Sequence, residues 1–129
     1  MPGWLQNPAM PDTSSNGLPR PLSAPDLNIL LQQDPPPQLV DVREQTELAL
    51  APFPHQVQHL PLSGAEQWME GLPEQFSADQ PIVVLCHAGV RSWQFGCWLL
   101  AQRPELTVWN LEGGIDAWST QVDPSVPRY

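Results

Sequence analysis

The chain has 129 residues, 41% of them hydrophobic and six of them tryptophan, which suffices for one compact core and is too short for two ordinary domains. Fourteen acidic against five basic residues leave a formal charge of −9, a field that repels nucleic acid and anionic membrane surfaces. Two cysteines make no disulfide framework, and the sequence holds neither a basic, apolar leader nor an apolar run of about 18 residues, so a cytoplasmic protein in a reducing compartment is expected.

Residues 1–20 are rich in Pro, Asn, Ser and Gly; ordering them costs more entropy than their burial returns, and a flexible Pro-rich tail is expected there. Ser23 is placed to cap a helix: Pro25 suits its first turn, Asp26 favours the positive end of its dipole, and Leu27, Leu30 and Leu31 form its apolar face. After three prolines, residues 38–42 read as a short strand and 43–50 as a helix that Pro52 and Pro54 stop. A weak extended stretch over 57–60 and a helical one over 65–76 follow.

The strongest strand is 81–85, a β-branched run of the kind buried on both faces of a parallel sheet, and it delivers Cys86 to the strand's C-terminal end. Residues 91–103 then turn helical, so densely apolar that both sides of the helix should be covered. Residues 106–109 are a further strand, Gly113-Gly114 a tight turn, and Ala117 and Trp118 lie in a short final helix before a Pro-containing tail at 120–129. Strands alternating with helices on short connections define an α/β domain over 21–119 with a mostly parallel central sheet, whose functional crevice lies beyond the carboxyl ends of the strands, where Asp41 and Cys86 fall.

Cys86-His87-Ala88-Gly89-Val90-Arg91-Ser92 links the best strand to the most apolar helix. A loop that curls from a strand into a helix N-terminus aims several backbone N–H groups at one point, and the dipole adds positive potential there; a thiolate at that point is stabilised and nucleophilic. Gly89 supplies positive φ inside the curl, Ala88 leaves the mouth open, and Arg91 is expected to supply the loop's fixed positive charge. Cys97 sits among apolar helix residues and reads as packing.

Three ordered motifs, Asp41-Val42-Arg43-Glu44, Cys86 through Ser92, and Glu112-Gly113-Gly114 with Trp118, resemble those of rhodanese-like sulfurtransferases. The resemblance implies a three-layer domain with helices flanking the sheet, and a sulfane sulfur carried as a persulfide on Cys86. Residues 87–91 would be its cradle, with Arg91 catalytic beside Cys86 in stabilising the anionic persulfide and the charge developing on the leaving group; Ser92 would border it, and Asp41 and Arg43 would brace the strand edge beside it. It implies a small anionic donor such as thiosulfate, a thiophilic acceptor (cyanide, a thiol or a protein thiol), and no cofactor. A phosphatase branch of the same family has one more residue between cysteine and arginine; here four separate Cys86 from Arg91 and the next position is Ser92, so sulfur is expected rather than phosphate.

The alternative is a binding or regulatory module with this fold and weak chemistry. Between the first and second motifs, residues 53–61 depart from the relatives' usual pattern, and their His55 and His59, four apart, are set off a common helical face by Pro54 and Pro61, so no metal site is expected. Arg43 and Glu44 are read as a possible local ion pair, and the Gly113-Gly114 turn with Trp118 as a structural plug.

Overall fold

The computed structural model describes residues 17–129, so most of the proposed N-terminal tail lies outside the described residues. Five strands, β1 (Arg20–Leu22), β2 (Gln38–Asp41), β3 (Gln58–His59), β4 (Ile82–Leu85) and β5 (Val108–Leu111), form one sheet in the order β1-β5-β4-β2-β3, and every pairing is parallel. Among the described residues, α1 (Ala24–Leu30), α2 (Gln45–Leu50), α3 (Ala65–Trp68) and α4 (Val90–Gln102) lie in the connections between them, and α5 (Gly114–Gln121) follows β5. This is the expected three-layer α/β architecture.

The period of two along the strands builds two cores. Leu39, Val83, Leu85 and Leu111 face one side with Leu27 of α1 and Ile115 and Trp118 of α5. Val40, Ile82, Val84 and Val108 face the other, with Phe95, Leu99 and Leu100 of α4 and with Leu72 and Phe76. β4 is central and buried throughout, as a strand covered on both faces must be.

Ser23 caps α1 by accepting the Asp26 N–H at 3.2 Å. Several expectations need correction. Arg20, assigned to the tail, opens β1, because the edge of β5 offers a ladder through Trp109, Asn110 and Leu111. The helix over 65–76 is broken into α3 and short 3-10 turns, since Gly71 takes φ +78° and Pro73 follows it. The helix expected from 43 begins at Gln45, because Glu44 is its extended N-cap and forms a capping box with Glu47. α4 is covered on one side only: Phe95, Leu99 and Leu100 are buried while Val90 and Trp93 are 65% and 43% exposed. Residues 120–129 complete α5 and then run back over the domain; Val126 is buried, its carbonyl accepts the Ser119 hydroxyl at 2.6 Å, and Arg128 meets Asp116 at 2.8 Å. These contacts tie the segment to the domain, with Val126 as its buried residue.

Candidate active site

β4 ends at Leu85 and α4 begins at Val90, so residues 86–89 make the whole turn from the sheet into the helix. Gly89 is the N-cap of α4 at φ +104°, a conformation that favours glycine. That turn brings the Gly89 N–H to 3.1 Å from Cys86 Sγ, inside the loop's curl. Ser92, on the first turn of α4 and fully buried, puts its Oγ 3.1 Å from the same sulfur.

Asn110 of β5 fixes the proton positions. Its Nδ2 donates to the Gly89 carbonyl at 3.0 Å, which leaves its Oδ1 to accept the Ser92 hydroxyl. A serine has one proton, so with that proton on Asn110 the Ser92 oxygen accepts from the Cys86 thiol.

The loop is closed from below by the N-terminus of α5. Ile115 N–H donates to the Cys86 carbonyl at 2.8 Å and Asp116 N–H to the His87 carbonyl at 3.1 Å. Gly114, at φ +63°, lies so close that a Cβ there would stand 2.3 Å from the His87 oxygen and 2.5 Å from the Cys86 oxygen. The Gly-Gly turn therefore supports the loop directly, and Trp118 behind it is 1% exposed.

Arg91 does not present a free charge. Its Nη1 and Nη2 bond Glu47 Oε1 and Oε2 of α2 at 2.6 and 2.8 Å, a bidentate pair. Glu47 also accepts the Glu44 N–H at 3.0 Å and the Tyr129 hydroxyl at 3.0 Å. The Arg91 guanidinium holds the Glu47 carboxyl well below the usual carboxylate range, at about 2. The fixed positive charge expected from Arg91 is thus held in an ion pair, because α2 delivers a carboxylate to it.

Asp41 and Arg43 are both fully buried and pair through Arg43 Nη2 and Asp41 Oδ2 at 2.9 Å, with Arg43 Nε 3.0 Å from Oδ1. Glu44, which the sequence set against Arg43, instead accepts from Ser63. Arg43 Nη1 donates to the Tyr129 hydroxyl at 3.1 Å, and its carbonyl lies 2.7 Å from His59 Nε2. His87 leaves the loop toward Tyr129, ring centroids 4.3 Å apart in an edge-on arrangement, and its Nδ1 is buried with no hydrogen-bond partner among the described residues. Ala88 and Val90 are exposed at the rim.

Sequence reasoning missed Glu47, Asn110 and Tyr129. Only Glu47 had a local signal, since Glu44 and Glu47 have the spacing of residues that cap a helix start. Cys97 lies half-buried on α4, its thiol pushed up by burial.

The family model described as Rhodanese-like domain matches residues 23–121. A protein named Sulfurtransferase from Allochromatium vinosum is 36% identical over 88 residues, which are 68% of this chain and 77% of that protein. Rhodanese-like/PpiC domain-containing protein 12, chloroplastic, from Arabidopsis thaliana is 38% identical over 92 residues, 71% of this chain; the matched part spans 30% of that protein's length. Among solved structures, a rhodanese-like domain protein from Staphylococcus aureus superposes with a TM-score of 0.64 at 26% identity, covering 77% of this chain and 90% of its own.

Proposed function

Because the chain belongs to the rhodanese-like domain family, we propose that it is a sulfurtransferase that carries a sulfane sulfur as a persulfide on Cys86. The observation that carries this reading is the sulfur's setting: Cys86 Sγ stands at the end of the central strand, against the Gly89 N–H and the Ser92 hydroxyl, at the mouth of a 13-residue helix. Such donors stabilise a thiolate before transfer and the persulfide anion after it.

In the first half-reaction the thiolate attacks the outer sulfur of a donor such as thiosulfate. The new S–S bond forms on Cys86, the donor's S–S bond breaks, and its electron pair leaves with sulfite. In the second, an acceptor nucleophile, cyanide or a thiol, attacks the outer sulfur and Cys86 departs as the thiolate. Neither step calls for a metal or an organic cofactor. Asp41 and Arg43 act as a buried brace under the β2 edge, Arg91 and Glu47 tie the start of α4 to α2, and residues 87–90 shape the mouth. The reduced cysteines suit a cytoplasmic setting.

Steady-state kinetics with thiosulfate or polysulfide as donor and cyanide as acceptor test the reading. Ping-pong transfer gives parallel double-reciprocal lines; Cys86→Ser abolishes thiocyanate formation and Cys97→Ser keeps it. Turnover that survives Cys86→Ser, or a folded wild type inert toward every donor, contradicts the proposal and favours a binding module.

A further inference from the structure

The side-chain cations of this chain, histidine apart, can be counted in full: it has no lysine, and its arginines are Arg20, Arg43, Arg91, Arg103 and Arg128. Four of them end in ion pairs, with Asp41, Glu47, Glu105 and Asp116 respectively for Arg43, Arg91, Arg103 and Arg128. Arg20 lies over the Trp109 ring at the start of β1. Arg43, Arg91 and Arg128 all border the Cys86 loop: Arg91 belongs to it, Arg43 bonds the tyrosine that packs on His87, and Arg128 pairs with the residue whose N–H holds the His87 carbonyl. Each brings its own carboxylate, so the three guanidinium groups around the loop, that of Arg43 fully buried, add no net positive charge, in a chain whose formal charge is −9. Next to the sulfur the attraction for an anion comes from the amides of the loop, and one of these already faces Sγ.

The rim is apolar where the charges cancel. Val90 and Trp93 are 65% and 43% exposed, three residues apart on the first turn of α4, and the His87 and Tyr129 rings stand together beside the loop. Such a rim has surface to offer an organic group and little to offer a bare oxyanion.

Resting on the sulfurtransferase reading, we propose that the Cys86 site takes its sulfur from organic donors with a single negative charge, a sulfane sulfur borne on a carbon-containing group, in preference to the thiosulfate dianion. With thiosulfate, thiolate and donor bring three negative charges together; with methanethiosulfonate they bring two. In the latter case the thiolate attacks the terminal sulfur, the S–S bond to the sulfonyl sulfur breaks, and the electron pair leaves as methanesulfinate, so charge and atoms balance. An alkyl persulfide delivers its sulfur in the same way and leaves as a thiolate.

The test is the single-turnover rate of Cys86 persulfide formation from thiosulfate, methanethiosulfonate and ethyl persulfide, each divided by its rate with a free small thiol to remove intrinsic reactivity. We expect one or both organic donors to exceed thiosulfate by about tenfold or more, the size of a like-charge penalty only partly screened by solvent. The two organic arms tell sulfonyl-borne from thiol-borne sulfur. Asp116→Asn releases Arg128 while keeping the backbone bond to His87, and it moves the ratio at least about threefold toward thiosulfate; added salt moves it the same way. Normalised thiosulfate loading equal to or faster than both organic donors overturns the proposal, as does a ratio that Asp116→Asn leaves unchanged. Loading from none of the three contradicts the sulfurtransferase reading itself, a different outcome from parity.

Discussion

Glu47 gathers four donors, from Arg91 twice, the Glu44 backbone and Tyr129, and with them it joins α2 to the start of α4. Arg91 holds this carboxyl at about 2 in the folded chain, while an unfolded glutamate titrates near about 4.3. Between those values the unfolded state binds more protons, so the stabilisation from this group is complete above about pH 4.5 and is lost as pH falls toward 2. Glu47→Gln should therefore lower Tm at neutral pH and flatten its decline between pH 4.5 and 2; equal acid slopes in the two proteins would contradict the pairing. At this scale the sequence was legible only where chemistry is contiguous. Cys86, Gly89 and Ser92 share one loop, so residue type and order announce them. Glu47 meets Arg91 across 44 positions and Tyr129 meets Arg43 across 86, and no local pattern encodes contacts that only the closed sheet creates.

The loop between β4 and α4 works as one element with the turn before α5. Two α5 N–H groups hold the Cys86 and His87 carbonyls, and Gly114 allows the approach because it has no Cβ. Gly114→Ala places a methyl against two carbonyl oxygens at positive φ, and should cost roughly 1–3 kcal/mol, read from chemical denaturation, while slowing sulfur loading of what remains folded. A variant with wild-type stability and loading would show that the turn does not support the loop. The elements themselves were readable to the degree that their apolar period was unbroken. β4 and α1 stand close to their expected bounds because a β-branched run and an N-cap serine are strong local signals. β1 was missed since three residues, one of them proline, form a strand only when β5 supplies the partner. The reading of α4 as covered on both sides took apolar density for burial, whereas Trp93 stands outside the core.

At the scale of the molecule, the charge and the fold divide the work. A parallel sheet with helices on both faces brings the β2 edge, the β4 loop and the α5 turn to one end, and residues 122–129 return to that end and finish beside His87 with Tyr129. Burial raises the Tyr129 phenol above its ordinary value, which keeps it neutral between Arg43 and Glu47. The arginines around the loop are already paired, in a chain of formal charge −9, so under the proposed function the Gly89 N–H and the Ser92 hydroxyl, which stand against Sγ, would stabilise the sulfur anion at closest range. The claim on which all of this turns is that Cys86 carries the sulfur. Intact mass of the reduced protein after exposure to a sulfane donor, beside Cys86→Ser and Cys97→Ser, tests it most directly. The account predicts a gain of one sulfur atom, removable by cyanide, in the wild type and Cys97→Ser and none in Cys86→Ser; an unchanged mass in the wild type, or an equal gain in Cys86→Ser, would contradict it.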